Sequence, residues 1–101
     1  MANTYLTTLV EVTTTGSNVV VFTASSKSIV RDVMIYAKGT TPTVSVLFYD
    51  RTSTLVVAKE AMATDATFRP FATPLAMPSS SQILVNTSDN LHVLITYVQF
   101  T

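Results

Sequence analysis

The 101-residue sequence contains no cysteine, no tryptophan, one histidine, two glycines and four prolines. Without cysteine there is no disulfide scaffold, no thiolate zinc site and no Cys nucleophile. Charge is also scarce. Six Lys/Arg balance six Asp/Glu, and charged residues make up 12% of the chain, against about 25% in a typical soluble domain. A neutral balance with scattered basic residues gives no electrostatic footprint for nucleic acid or an anionic membrane surface. No stretch reaches the ~18 continuous apolar residues of a spanning helix. The opening residues, Met1 to Thr8, lack the basic region and apolar run of a signal peptide, so synthesis in the cytoplasm is expected. Phosphate-cradling glycine loops and the G-x-S-x-G nucleophile setting are absent as well.

What the chain does have is 18 Thr and 10 Ser, beside many Val and Ile. Together Thr, Val and Ile supply about a third of the residues, and β-branched side chains are stiff at χ1 and pack well on a pleated surface. Short β-branched runs alternate with polar turn clusters at a spacing of roughly ten residues, the pattern of a β-sandwich or barrel. The expected fold is all-β: a single antiparallel β-sandwich, jelly-roll-like, of about eight strands. It spans residues 1–101, with 1–12 as an arm or an edge strand.

The runs are Tyr5 to Val12, Asn18 to Phe22, Ser28 to Ala37, Thr43 to Tyr49, Thr54 to Lys59, Ala66 to Phe71, Gln82 to Asn86 and Leu91 to Phe100. Pro70 and Pro74 limit the sixth to an edge. Glu60 to Asp65 permits a short helical turn, and Leu75 to Pro78 leads into a turn at Ser79-Ser80-Ser81. Strict alternation puts Ile29, Arg31, Val33, Ile35 and Ala37 on one face of the third run, with Val30, Asp32, Met34 and Tyr36 on the other. In the last run Leu91, Val93, Ile95 and Tyr97 oppose His92, Leu94, Thr96, Val98 and Phe100. Both strands are apolar on two faces. They are expected to be central, with one face on the core and the other against a loop or a second subunit. Met34, Tyr36, Leu94 and Phe100 are the candidate interface residues. With two glycines available, Ser, Thr, Asn, Asp and Pro must form the turns, and Asn90 is the expected left-handed residue.

Little in the sequence points to catalysis. His92 has no second imidazole for a metal and no adjacent residue placed to orient it, so it reads as a strand-surface or interface residue. The six carboxylates, Glu11, Asp32, Asp50, Glu60, Asp65 and Asp89, are isolated and lack the clustered oxygens of a calcium loop. An enzyme would need His92 plus a carboxylate. No catalytic residue, cofactor or metal ligand is expected. Tyr36 and Tyr49 could instead stack on a sugar, which keeps a carbohydrate-binding module in view.

From Ser25 onward the order of pieces resembles a small β-sandwich common in the virions of tailed phages. Ser25 to Val33 looks like its polar-basic turn and long strand. Leu75 to Val85 looks like its later step, with Ser80-Ser81 in place of the usual Gly-Asp. Leu91 to Phe100 looks like its closing strand. The resemblance covers about three-quarters of the chain. It implies a non-enzymatic virion structural protein that decorates or cements a capsid, or a neck-, tail- or fibre-associated protein. The implied partners are the major capsid protein or other virion proteins and further copies of the chain, as a dimer or trimer, in the assembled virion.

Overall fold

The computed structural model describes residues 3–100, so the extreme ends of the expected 1–101 range, and Met1 and Ala2 of the arm, lie outside the described residues. It contains nine strands: β1 (Asn3–Val12), β2 (Val19–Thr23), β3 (Ser28–Tyr36), β4 (Thr43–Tyr49), β5 (Thr54–Ala61), β6 (Thr67–Phe68), β7 (Leu75–Met77), β8 (Gln82–Thr87) and β9 (Leu91–Phe100). Every pairing is antiparallel. The front sheet runs β1-β9-β3, with β6 and β7 both on the far side of β3. The back sheet runs β2-β8-β4-β5. Apart from the β4–β5 hairpin and the split β6/β7 edge, consecutive strands lie in opposite sheets. This is jelly-roll connectivity.

Counting β6 and β7 as one interrupted strand restores the expected eight. β6 pairs with Ile35–Tyr36 and β7 with Ser28–Val30. The segment between them carries Pro70 and Pro74, which cannot donate to the ladder. Leu75–Met77 is therefore a strand, not only the approach to a turn. The helical turn allowed for Glu60 to Asp65 does not form. β5 continues to Ala61, and a turn comes after it.

The core lies between the sheets. Val33, Ile35, Val93 and Ile95 of the front sheet meet Val44, Val46, Ile83 and Val85 of the back sheet, and all eight have no exposed surface. Phe22 and Tyr97 join the sheets edge to face, with ring centroids 4.6 Å apart, a preferred aromatic geometry. The three buried polar side chains among the described residues are satisfied locally. The hydroxyls of Ser28, Ser81 and Thr87 donate to the carbonyls of Ser26, Pro78 and Asp89.

One expectation about faces is overturned. β3 does not alternate strictly, because its register with β9 shifts between Val30 and Asp32. Arg31 is the extra residue of a bulge, and a bulge inverts the parity of every residue beyond it. Val30 (1% exposed) thus joins Val33 and Ile35 in the core. Ile29 shares the outer face with Asp32, Met34 and Tyr36. β9 keeps an unbroken register with β1 and alternates as expected.

The turns bear the cost of having few glycines. Gly16 and Gly39 take positive φ, and so do Arg51 (83°), Asp65 (58°) and Ser80 (73°). Asn90, the expected left-handed residue, is not among them. The Arg51 turn is held by Asp50, whose Oδ1 accepts the backbone N–H of Ser53 at 2.8 Å and of Thr52 at 2.9 Å. These two donors hold the Asp50 carboxyl below the usual aspartate range.

Val33→Asp and Val30→Asp should each cost about 4 kcal/mol or more and abolish cooperative thermal unfolding, because both bury an unpaired charge. Ile29→Asp should leave a folded protein. Strict alternation would require the reverse order for positions 29 and 30, so melting curves of the pair test the bulge. Arg51→Gly should raise the melting temperature by about 2–6 °C, since relief of left-handed strain outweighs the flexibility glycine adds to the unfolded chain.

Candidate functional site

The outer face of the front sheet is assembled by register. Residues opposite one another in an antiparallel pair share a face. The pairings of β1 with β9 and of β9 with β3 therefore give successive rows across the strands: Tyr5–Val98–Ile29, Thr7–Thr96–Asp32, Leu9–Leu94–Met34 and Glu11–His92–Tyr36. Two rows are wholly apolar, and a polar row separates them. Tyr5 and Leu9 are the most exposed large apolar side chains among the described residues, at 69% and 67%. On a solvated antiparallel sheet this face would be polar.

The rows form two shallow grooves. In one, Leu9, Met34 and Leu94 are bounded by Tyr36, Lys38 and His92. In the other, Val98 is flanked by Tyr5, Ile29, Pro74 and Phe100, with Arg31 and Asn3 at the margin. Val98 is 7% exposed even though it points away from the core.

All four candidate interface residues, Met34, Tyr36, Leu94 and Phe100, lie on this face. They do not make one cluster. Met34, Tyr36 and Leu94 line the first groove, and Phe100 lines the second. Tyr5, Leu9 and Ile29 complete the surface, and sequence reasoning misses all three. Tyr5 and Leu9 share a phase in β1, a signal that could find them. Ile29 is hidden by the bulge.

The polar groups on this face are few and largely paired. Asp32 Oδ2 accepts from Arg69 Nε at 3.3 Å, and both side chains are about half exposed, so the pair contributes only about 0–1 kcal/mol. The same guanidinium lies over the Met34 sulfur, with Nη2 3.5 Å from Sδ. It covers one side of the apolar row. At the other end Asp65 Oδ1 accepts the Tyr36 hydroxyl at 3.3 Å and the Gly39 N–H at 2.9 Å. Partial burial, and then the Asp65 charge and hydrogen bond, raise the Tyr36 hydroxyl above its ordinary value of 10.0. His92 Nε2 lies 4.0 Å from Glu11 Oε2, and its Nδ1 is buried without a partner.

His92 therefore does stand beside a carboxylate, from β1 rather than from the neighbouring turn. No group of three or more His, Cys, Asp or Glu able to hold a metal occurs among the described residues. Tyr36 and Tyr49 do not meet. Tyr49 lies on the outer side of the back sheet, opposite Gln82 and Thr54, and its hydroxyl donates to the Arg51 carbonyl at 3.0 Å. The two tyrosines therefore stand on different sheets. The back sheet has an aliphatic row of its own, Val20–Leu84–Leu47–Val56. Leu47 is nearly covered, whereas Val20 and Val56 are 44% and 55% exposed.

No family model matches the chain, and no curated protein does. Solved structures do. A chain from work describing Bacillus endospore appendages as a novel family of disulfide-linked pili aligns with a TM-score of 0.63 and 12% identity, over 96% of this chain and 87% of that one. A chain from the structure of infectious bursal disease virus, Gt strain, aligns with a TM-score of 0.48 and 14% identity, over 98% of this chain and 31% of that one. The pilus likeness shows the sandwich fold. This chain spans about a third of the viral chain. The likeness to the pilus chain, at 12% identity, extends to the fold alone.

Ultraviolet titration should show the Tyr36 hydroxyl ionising above the ordinary range, a component lost in Tyr36→Phe and moved part of the way back in Asp65→Asn. Only part returns, because burial is the larger cause. The folded state holds the Tyr36 proton more tightly than the unfolded chain does. The associated stability is complete below the unfolded-state pKa and is lost as pH rises through the folded-state value. An Asp65→Asn titration identical to that of the parent chain would contradict the assignment.

Proposed function

We propose that this chain is a non-enzymatic structural module of a larger protein assembly, most specifically a virion structural protein that decorates or cements a phage capsid. The observation that carries the reading is the outer face of the front sheet, where two apolar rows face outward. Its partners in this reading are the major capsid protein or other virion proteins, together with further copies of the chain as a dimer or trimer. The protein would be made in the host cytoplasm and function in the virion.

The composition supports this reading. Uncharged Thr and Ser cost less to desolvate at an interface than ions do, and repetition on a symmetric lattice multiplies a small contact into firm attachment. An apolar centre with charges at its margin, here Arg31, Lys38 and Glu11, matches the anatomy of protein interfaces. No cofactor has a part in it.

A second reading has its own support, a filament subunit. The chain that aligns at a TM-score of 0.63 comes from pili. Those pili are described as disulfide-linked. The present sequence has no cysteine, so a filament of it would be held without such bonds.

The test is mass spectrometry of purified native particles, with quantification of copy number. The capsid reading expects the chain at a fixed stoichiometry to the major capsid protein. Leu9→Glu combined with Met34→Glu should leave the melting temperature within a few degrees and remove the chain from particles. Absence of the parent chain from particles overturns the capsid reading, and its recovery in filaments would favour the second.

A further inference from the structure

The edges of the two sheets are unequally protected. An open edge presents unpaired N–H and C=O groups, and proteins blunt it with bulges, prolines, lysines or very short strands. β5 has a bulge at Val57 and carries Lys59 and Glu60. β2 is five residues long and bulged at Val21. β6 and β7 have two and three residues, separated by a segment with Pro70 and Pro74. β1 has none of these devices. It is ten residues long, keeps one register with β9 throughout, contains no proline or lysine, and carries one charge, Glu11. Among the described residues no strand pairs with its other side.

We propose that the free edge of β1 pairs antiparallel with β1 of a second copy, about a two-fold axis at Thr7, joining two front sheets into one. The inference rests on the assembling-module reading for its purpose but makes a separate claim, namely how copies join. The sequence of β1 is self-complementary in this register. With Thr7 opposite Thr7 of the second copy, Tyr5 falls opposite Leu9, Leu6 opposite Thr8, Thr4 opposite Val10 and Asn3 opposite Glu11. The two most exposed large apolar side chains then cover each other twice, and the two Glu11 carboxylates sit at opposite ends of the seam. Sliding by one pair, to centre on Thr8, sets Tyr5 against Glu11. Centring on Leu6 sets Leu9 against Asn3. Centring on Leu9 or on Tyr5 joins one apolar row to its own copy and leaves the other with no apolar row opposite it, whereas the Thr7 register continues both, because Tyr5–Val98–Ile29 of one copy meets Leu9–Leu94–Met34 of the other. Cross-strand apolar pairs of this kind are what fix a register. An interface that reads the same from both sides is the isologous contact of a two-fold dimer.

The absence of cysteine makes the test clean. Directly opposed residues in an antiparallel pair have Cα atoms about 4.5–5.5 Å apart, within the range a disulfide spans. Thr7→Cys should therefore oxidise to a covalent dimer at micromolar concentration. Leu9→Cys alone should not, because four residues of offset along the strand separate the copies of Leu9 by roughly 14 Å. Leu9→Cys mixed with Tyr5→Cys should cross-link. Sedimentation of the parent chain should show twice the 10.9 kDa monomer mass. A monomeric parent with no Thr7→Cys dimer overturns the proposal, as does equal cross-linking of all the single variants, or a dimer trapped by Val20→Cys at the β2 edge instead. Purified protein is used throughout, so these results are independent of whether the chain is found in particles.

Discussion

Eight β-branched side chains, four from each sheet, interlock with no exposed surface: Val33, Ile35, Val93 and Ile95 against Val44, Val46, Ile83 and Val85. Each burial of this size contributes about 1.5–3 kcal/mol, and stiff χ1 angles leave little freedom to repack. The layer also dictates what happens on the other side of the sheet. β3 and β9 are the central strands of the front sheet. Once their inward residues are fixed, Met34, Leu94, His92 and Tyr36 have nowhere to point but outward. The apolar outer face is thus a consequence of the core register as much as of composition.

β9 is fully legible in the sequence because nothing interrupts its alternation. β3 is legible only in part. Ser28 to Tyr36 reads as one strand, yet its faces exchange at Arg31, since β9 pairs with Val30 and Asp32 and leaves Arg31 unopposed. A bulge is a property of the partner strand as well as of its own sequence, and a single chain read by alternation cannot reveal it. The cost is specific: alternation alone puts Val30 outside and Ile29 inside. Met34, Tyr36 and Leu94 escape the error because they lie beyond the bulge or on β9. The split β6/β7 edge is half legible. Its prolines mark the interruption, but Leu75–Met77 is too short to announce itself as a strand.

The turns teach a similar lesson. The scarcity of glycine is visible in the sequence, as is its implication that other residues must take strained backbone. Which ones do so depends on tertiary contacts. Asp65 holds positive φ while its N–H bonds to the Ala37 carbonyl and its carboxylate to Gly39 and Tyr36. Asn90, the better left-handed residue by intrinsic preference, has no such demand placed on it. The partnership of His92 with Glu11 is also invisible in the sequence, since 81 positions separate residues that β1 and β9 place side by side.

A surface poor in charge, rich in Thr and Ser, and apolar along two outward rows is suited to contact with protein. The most direct measurement is covalent side-chain footprinting of the chain, free and in its native assembly. The account predicts that Met34 and Leu94, which lie away from the β1 edge, lose reactivity on assembly, while Leu55 and Val56 of β5 keep theirs. Unchanged labelling of the front face, with protection confined to the back sheet, would contradict it.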